Sequence, residues 1–178
     1  MIRSYILGAA LLIVLAVSAN AQATTWQIGD KHTIRFDAGG EAGGIFKTLK
    51  GSIAFDGQSV QTAAFDLSIE VASVNTGNGL MNTHLKSAEW LDAGKYPVVR
   101  FTSKKVTASG SGFVVTGDLE MHGVKKEVSF PFSFQAKGNS GTFSARITVY
   151  RNDFHIGKPG GEVNDVIKID LTVPVTKK

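Results

Sequence analysis

Four histidines, His32, His84, His122 and His155, are the side chains of this sequence best suited to proton transfer or metal ligation. None has a second histidine two or four residues away, the spacing that sets two imidazoles on one face of a strand or helix. Each is expected in a turn or helix as an ordinary hydrogen-bonding residue, and no metal site is expected. Serine and threonine are plentiful, but no Gly-x-Ser-x-Gly elbow presents a nucleophile. Gly77-Asn78-Gly79 and Gly160-Gly161 read as turns, because no strand–loop–helix unit surrounds them to cradle a phosphate. The chain has no cysteine, which excludes disulfides and thiolate metal sites. No catalytic residue and no cofactor is assigned, and the protein is expected not to be an enzyme.

The dominant signal is alternation. From Phe113 to Phe134 two apolar rows run in succession. Phe113, Val115, Leu119 and Met121 share one parity, against Thr116, Asp118, Glu120 and His122. Val128, Phe130, Phe132 and Phe134 follow, against Glu127, Ser129, Ser133 and Gln135. A two-residue period means two strands, each with one apolar face. Gly123 to Lys126 reads as the loop of a hairpin pairing Met121 with Val128 and Leu119 with Phe130.

The same period recurs along the chain. Thr24 to Asp37 is a strand with a bend or bulge at Gly29-Asp30-Lys31. Phe46 to Phe55 is a second, with Gly51 at a tight bend. Ala63 to Val71 is a third and Val99 to Val106 a fourth. Gly141 to Arg151 and Ile167 to Val175 are the last two. Met81 to Leu91 departs from the pattern. Leu85, Ala88 and Leu91 recur at helical spacing, with Asn82 or Thr83 to cap the start and Gly94 and Pro97 to end it. The segment reads as one short helix, or as two turns parted near Ser87.

The fold class is therefore all-β: about eight antiparallel strands with one short helical segment, in a single domain. Long strands, interior glycines and sequential hairpins favour a closed barrel over a sandwich. Pro131 and Pro174 each remove a ladder donor, so bulges or an imperfect seam are expected there. An apolar-out membrane barrel would show the same alternation. It is disfavoured by mid-strand charges such as Asp66, Asp118, Arg146 and Lys168, since a basic group at a bilayer midplane costs roughly 2–4 kcal/mol. The apolar rows should face inward. Eight strands enclose a space that side chains fill or that holds one small ligand, and the pattern leaves both open. No polar residue interrupts the inward rows of the third, sixth and last strands, so a ligand would be a long apolar chain rather than a sugar or nucleotide.

Residues 1–21 read as a cleaved signal peptide: Arg3, an apolar run from Ile6 to Val17, and the small-x-small site Ala19-Asn20-Ala21. The mature domain would then be residues 22–178, exported to the periplasm. An uncleaved anchor is the rival reading, but the run is short for a bilayer span and no stable membrane insertion is expected. A domain of this size buries roughly 70% of the surface its unfolded chain exposes, enough for a core without disulfides. The net charge of +4 is mild and interspersed. No basic tract with interleaved aromatics suggests nucleic acid.

Short motifs carry a resemblance over nearly the whole mature chain, in order. They are Trp26-x-Ile28-x-Asp30 with Ile34 and Phe36; Gly51-x-Ile53-x-Phe55-Asp56; Ser73-Val74-Asn75-Thr76-Gly77; and His84-Leu85-x-Ser87 with Trp90-Leu91-Asp92. Tyr96-Pro97 with Phe101-x-Ser103 and Gly117-x-Leu119-x-x-His122-Gly123-Val124-x-Lys126 follow, then Arg151-x-Asp153-Phe154 and Asp165-Val166. The set resembles the YceI-like family of lipocalin-like, polyisoprenoid-binding proteins of the bacterial periplasm. The resemblance implies an eight-stranded barrel holding a long-chain isoprenoid or other amphiphilic lipid, for transport or storage and without catalysis. A homodimer is left open. The chain departs from the family at Met81 and Asn82, where an Arg-Asp pair is usual, and at His155, often a glycine. Strand parity and the helical segment nominate Phe36, Phe55, Phe65, Leu67, Leu85, Trp90, Phe101, Phe113, Met121, Phe130, Phe132 and Phe143 as lining residues. Two other readings stand beside this one: a solid, stress-related barrel for structure or interaction, and an enzyme acting on a lipid head group through His84 or His155.

Overall fold

A computed structural model describes residues 23–40, 42–160 and 163–178. The expected signal peptide falls outside these residues. Eleven strands, β1 (Thr25–Ile28), β2 (Thr33–Asp37), β3 (Gly43–Phe46), β4 (Leu49–Ala54), β5 (Ala64–Glu70), β6 (Val74–Asn75), β7 (Val98–Ser109), β8 (Gly112–Met121), β9 (Val124–Lys137), β10 (Ser140–Tyr150) and β11 (Val166–Lys177), form one sheet. Among the described residues the single α-helix, α1, spans Gly79–Leu85. Among the described residues no helix is long and apolar enough to cross a membrane.

The sheet is an eight-stranded antiparallel barrel, because three pairs of short strands are halves of longer ones. β1 and β2 share β11 as a neighbour, β1 pairing with its end and β2 with its start. β3 and β4 continue each other in the same way, and so do β5 and β6. Each strand then pairs with the next in sequence, and β1 closes the ring on β11. The bend expected at Gly29-Asp30-Lys31 is the break between β1 and β2. There Gly29–His32 face only Val173 and Pro174 of β11, and Gly29 N–H donates to the Pro174 carbonyl at 2.8 Å. Pro174 thus lies opposite a bulge. Pro131 marks the second imperfection: the β9–β10 ladder ends at Phe132↔Ala145, the pair beside it. Gly51 bends β4 at φ 136°, and a Cβ there would stand 2.0 Å from the Asp66 carbonyl oxygen.

Two expectations are corrected. The hairpin turns at His122-Gly123, with φ 52° and 76°, and pairs Met121 with Val124 and Leu119 with Lys126. Residues 124–126 are therefore strand, not loop. The shift of four residues is even, so the same side chains stay on the same faces. The helix is capped four or five residues before the expected Asn82 or Thr83. Asn78 is its N-cap, and its side chain accepts from the N–H groups of Leu80 and Met81. Turns held by Trp90 N–H to Ser87 O and Leu91 N–H to Leu85 O carry the chain on to Asp92.

The apolar rows face inward. At the end of the barrel where β1 begins and β11 ends, Phe55 is fully buried. Its ring centre lies 5.0–6.0 Å from those of Phe65, Phe113, Phe132, Phe134 and Phe143. Most of these contacts are edge-to-face, the arrangement aromatic quadrupoles prefer. Trp26 joins the cluster against Phe134 and donates from Nε1 to the Phe55 carbonyl at 2.9 Å. The cluster is a plug, and it makes this end of the barrel a floor.

Candidate functional site

Above the plug the barrel is hollow. A lower chamber of about 150 Å³ is bounded by Leu67, Ile69, Phe101, Phe130, Ile147, Leu171 and their neighbours on the inward rows. An upper chamber of about 440 Å³ is bordered by α1 and by Ile156, Lys158, Gly160 and Val163, and lined by Phe36, Phe46, Met81, Leu85 and Trp90 among others. Met121, Val149 and Ile169 border both, so the two chambers adjoin at these side chains. The upper volume is of the size that takes a small ligand, typically 300–1,000 Å³. The lower chamber alone is smaller, and among the described residues Ser144 is the one polar side chain on its boundary. Polar side chains gather at the top: Thr76, His84, Glu89, Arg151 and Lys158.

The top is built around one buried charge. Arg151 is 2% exposed, at the start of a short 3-10 turn that follows β10. Its guanidinium donates to the carbonyls of Asn164, Ile156, Gly160 and Val163 at 2.9–3.2 Å, and to Asp165 Oδ1 at 2.6 Å. A planar five-donor fork satisfied this way draws Ile156, Gly160, Val163, Asn164 and Asp165 around one side chain. The guanidinium also lies 5.6 Å from the Trp90 ring centre, over its face. Gly157 N–H donates to the Glu89 carbonyl at 2.9 Å, tying the loop to the turns after α1. His155, in the left-handed region at φ 56°, occupies a conformation that glycine takes without strain.

The chemistry-capable residues are not brought together. His122 Nδ1 lies 3.1 Å from the Phe154 carbonyl, and His32 sits between the carbonyls of Gly29 and Lys47. His84 is exposed on α1, its ring 5.4 Å from that of Trp90. Among the described residues no cluster of three or more His, Asp or Glu could hold a metal ion. Among the described residues, the titrations displaced from their ordinary values belong to groups that line neither chamber. A hydrogen bond from Arg100 lowers Asp66, hydrogen bonds to Asp118 and Glu127 raise Lys104, and one to Asp170 raises Arg146. Lys95 is raised by its hydrogen bond with Tyr96.

Of the twelve residues nominated from sequence, Phe65, Leu67, Phe101, Phe130, Phe132 and Phe143 border the lower chamber. Phe36, Leu85 and Trp90 border the upper, and Met121 both. Phe55 and Phe113 border neither; they belong to the plug beneath. The nomination omitted Ile69, Val99, Leu119, Val128, Ala145, Ile147, Val149, Ile169 and Leu171, which share inward rows with the residues named. Applying strand parity to aliphatic as well as aromatic positions would have found them. It also omitted Arg151 and Lys158, which no periodicity could nominate.

A sequence model of the YceI-like domain matches residues 19–175. The chain belongs to the YceI-like family. Its relatives include a UPF0312 protein of Pseudomonas putida, 32% identical over 142 residues, spanning 76% of this chain and 73% of that one. Among solved YceI-like structures, the Campylobacter jejuni YCEI protein is 28% identical with a TM-score of 0.70, over 76% of this chain and 84% of its own. Burkholderia cenocepacia BcnA has the same fold at 24% identity and a TM-score of 0.77, over 82% and 97%. So does a polyisoprenoid binding domain from Saccharophagus degradans, at 16% identity and a TM-score of 0.68, over 88% and 99%.

Proposed function

We propose that this YceI-like protein is exported to the periplasm as residues 22–178. There it binds a long-chain amphiphilic lipid, of polyisoprenoid type, for transport or storage and without catalysis. The single observation that carries the reading is the pair of adjoining apolar chambers inside the barrel, floored by the Phe55 plug, with the polar side chains of the described residues gathered mainly at the upper end. A hydrocarbon tail suits the lower part, which offers almost no polar side chain and so would leave a polar ligand without partners. The head group belongs in the upper chamber beside Thr76, Glu89 and Lys158. Burying the tail is worth up to about 0.8 kcal/mol per methylene before the costs of association. The ligand named for the Saccharophagus degradans domain fits the same chemistry. The hollow lower chamber weighs against a solid structural barrel. The separated histidines weigh against a head-group enzyme.

Titration with cis-parinaric acid, a fluorescent long-chain probe, tests the reading. Saturable enhancement at one site per chain, displaced by a long-chain isoprenol, is expected. A variant with Ala145→Trp, which fills the lower chamber, should melt like the parent and lose the signal. No enhancement with the parent protein would reject the reading.

A further inference from the structure

The barrel wall is interrupted on one side. β9 and β10 are paired from Lys137↔Ser140 to Phe132↔Ala145, and there the ladder stops. Both strands run on, β9 back to Val124 and β10 forward to Tyr150, each paired only with its outer neighbour. Pro131 is the first β9 residue past the last pair, and it has no N–H to continue the ladder. The lower chamber reaches this gap. Phe130 and Val128 from one unpaired edge and Ile147 and Val149 from the other border it. Near the upper end the two sides are tied across: Lys126 Nζ lies 3.0 Å from Asp153 Oδ1, just after β10.

We infer that this gap is a lateral portal, through which the tail of the lipid passes sideways between β9 and β10 into the lumen. The inference rests on the lipid-binding reading above. Because the plug closes the far end, loading through the top alone would draw the whole tail endwise past α1 and the Arg151 loop. A slit along the wall lets a tail slide in broadside, against the apolar edges, while the head group stays at the upper chamber. The portal's edge is ill-suited to pairing with an added strand, because β9 carries Lys125, Lys126 and Pro131 there, features that discourage edge association. A flexible chain, not a peptide strand, is what the gap admits.

The chain has no cysteine, so a single engineered pair can staple the gap. Ser129→Cys with Thr148→Cys places thiols on outward positions that would face each other if the β9–β10 register continued. The pair is closed as a disulfide, or with a short bis-maleimide where the Cα spacing exceeds the reach of a disulfide, about 7 Å. Thr148→Cys with Lys168→Cys, adjacent in the intact β10–β11 ladder, is the control staple. Stopped-flow loading and release of cis-parinaric acid is the readout. The stapled gap should slow both rates by at least about tenfold while leaving equilibrium affinity unchanged, since affinity and access are separable. Reducing the disulfide should restore the rates, and the control staple should not change them. Equal rates with and without the staple would overturn the portal and leave the lumen as the binding site. No probe binding in any form would overturn both.

Discussion

Arg151 Nη2 meets Asp165 Oδ1 at 2.6 Å, with the arginine side chain 3% exposed and the aspartate 38%. The asymmetry says which partner matters. The arginine is enclosed and holds four carbonyls besides, whereas the aspartate keeps access to water. Arg151→Lys keeps the charge but loses the fork, and should destabilise the fold by roughly 3 kcal/mol. Asp165→Asn should cost less, about 1–2 kcal/mol. Urea midpoints of the two variants check the order. An Arg151→Lys protein as stable as the parent would mean the guanidinium does not organise the loop.

Phe55 sets the depth of the lumen. Phe55→Ala removes a fully buried ring and should destabilise by about 3–5 kcal/mol. The space it vacates lies beneath the lower chamber, so the surviving folded protein should favour longer chains. Competition between isoprenols of different length against cis-parinaric acid reads this directly. Unchanged chain-length preference would place the floor elsewhere.

An ionised carboxylate on an inward row has no partner. Phe65→Asp puts one beside the plug, where the native residue is 7% exposed, and should cost more than about 4 kcal/mol. Phe130→Asp, on the chamber wall, should be damaging as well. Thermal melting checks both. Parent-like melting in either would mean that the rows point the other way.

On the outer wall, Arg100 donates to both carboxylate oxygens of Asp66, at 3.0 and 2.7 Å. The hydrogen bond holds the Asp66 carboxyl below its ordinary value of 3.8. A lowered acid contributes its full stabilisation above that ordinary value and loses it as the pH falls through the lower folded value. Both side chains are about half exposed, so the contribution is small. Asp66→Asn should therefore melt slightly below the parent at neutral pH, and the gap should close in acid below 3.8. Melting midpoints across that range decide it; a gap that persists in acid would assign the loss to something other than the carboxylate.

The barrel was legible in the sequence because each strand buries one face and wets the other, as Phe143, Ala145, Ile147 and Val149 do against Ser144, Arg146 and Thr148. Parity is blind to an even register shift, so it placed Val128 rather than Val124 opposite Met121 without disturbing the faces. The true turn was obscured because His122 supplies the left-handed residue where Asn or Gly would have signalled it. Lys125 and Lys126 look like loop residues, but they are the water-exposed start of β9. Pro131 and Pro174 announced the two imperfections of the wall, although not that one would be a bulge and the other an open seam. Arg151 was illegible because its partners, from Ile156 to Asp165, surround it only once the loop has folded. The upper chamber exists only through that folding, so its polar rim could not be read from any period.

The central claim is that the inward rows enclose a lipid, and mass spectrometry tests it most directly. Protein purified from a periplasmic fraction is weighed intact under native conditions, then extracted with organic solvent. The account predicts one long-chain amphiphile per barrel, absent from the Ala145→Trp variant. A barrel of bare polypeptide mass that also takes up no added long-chain isoprenol would contradict it.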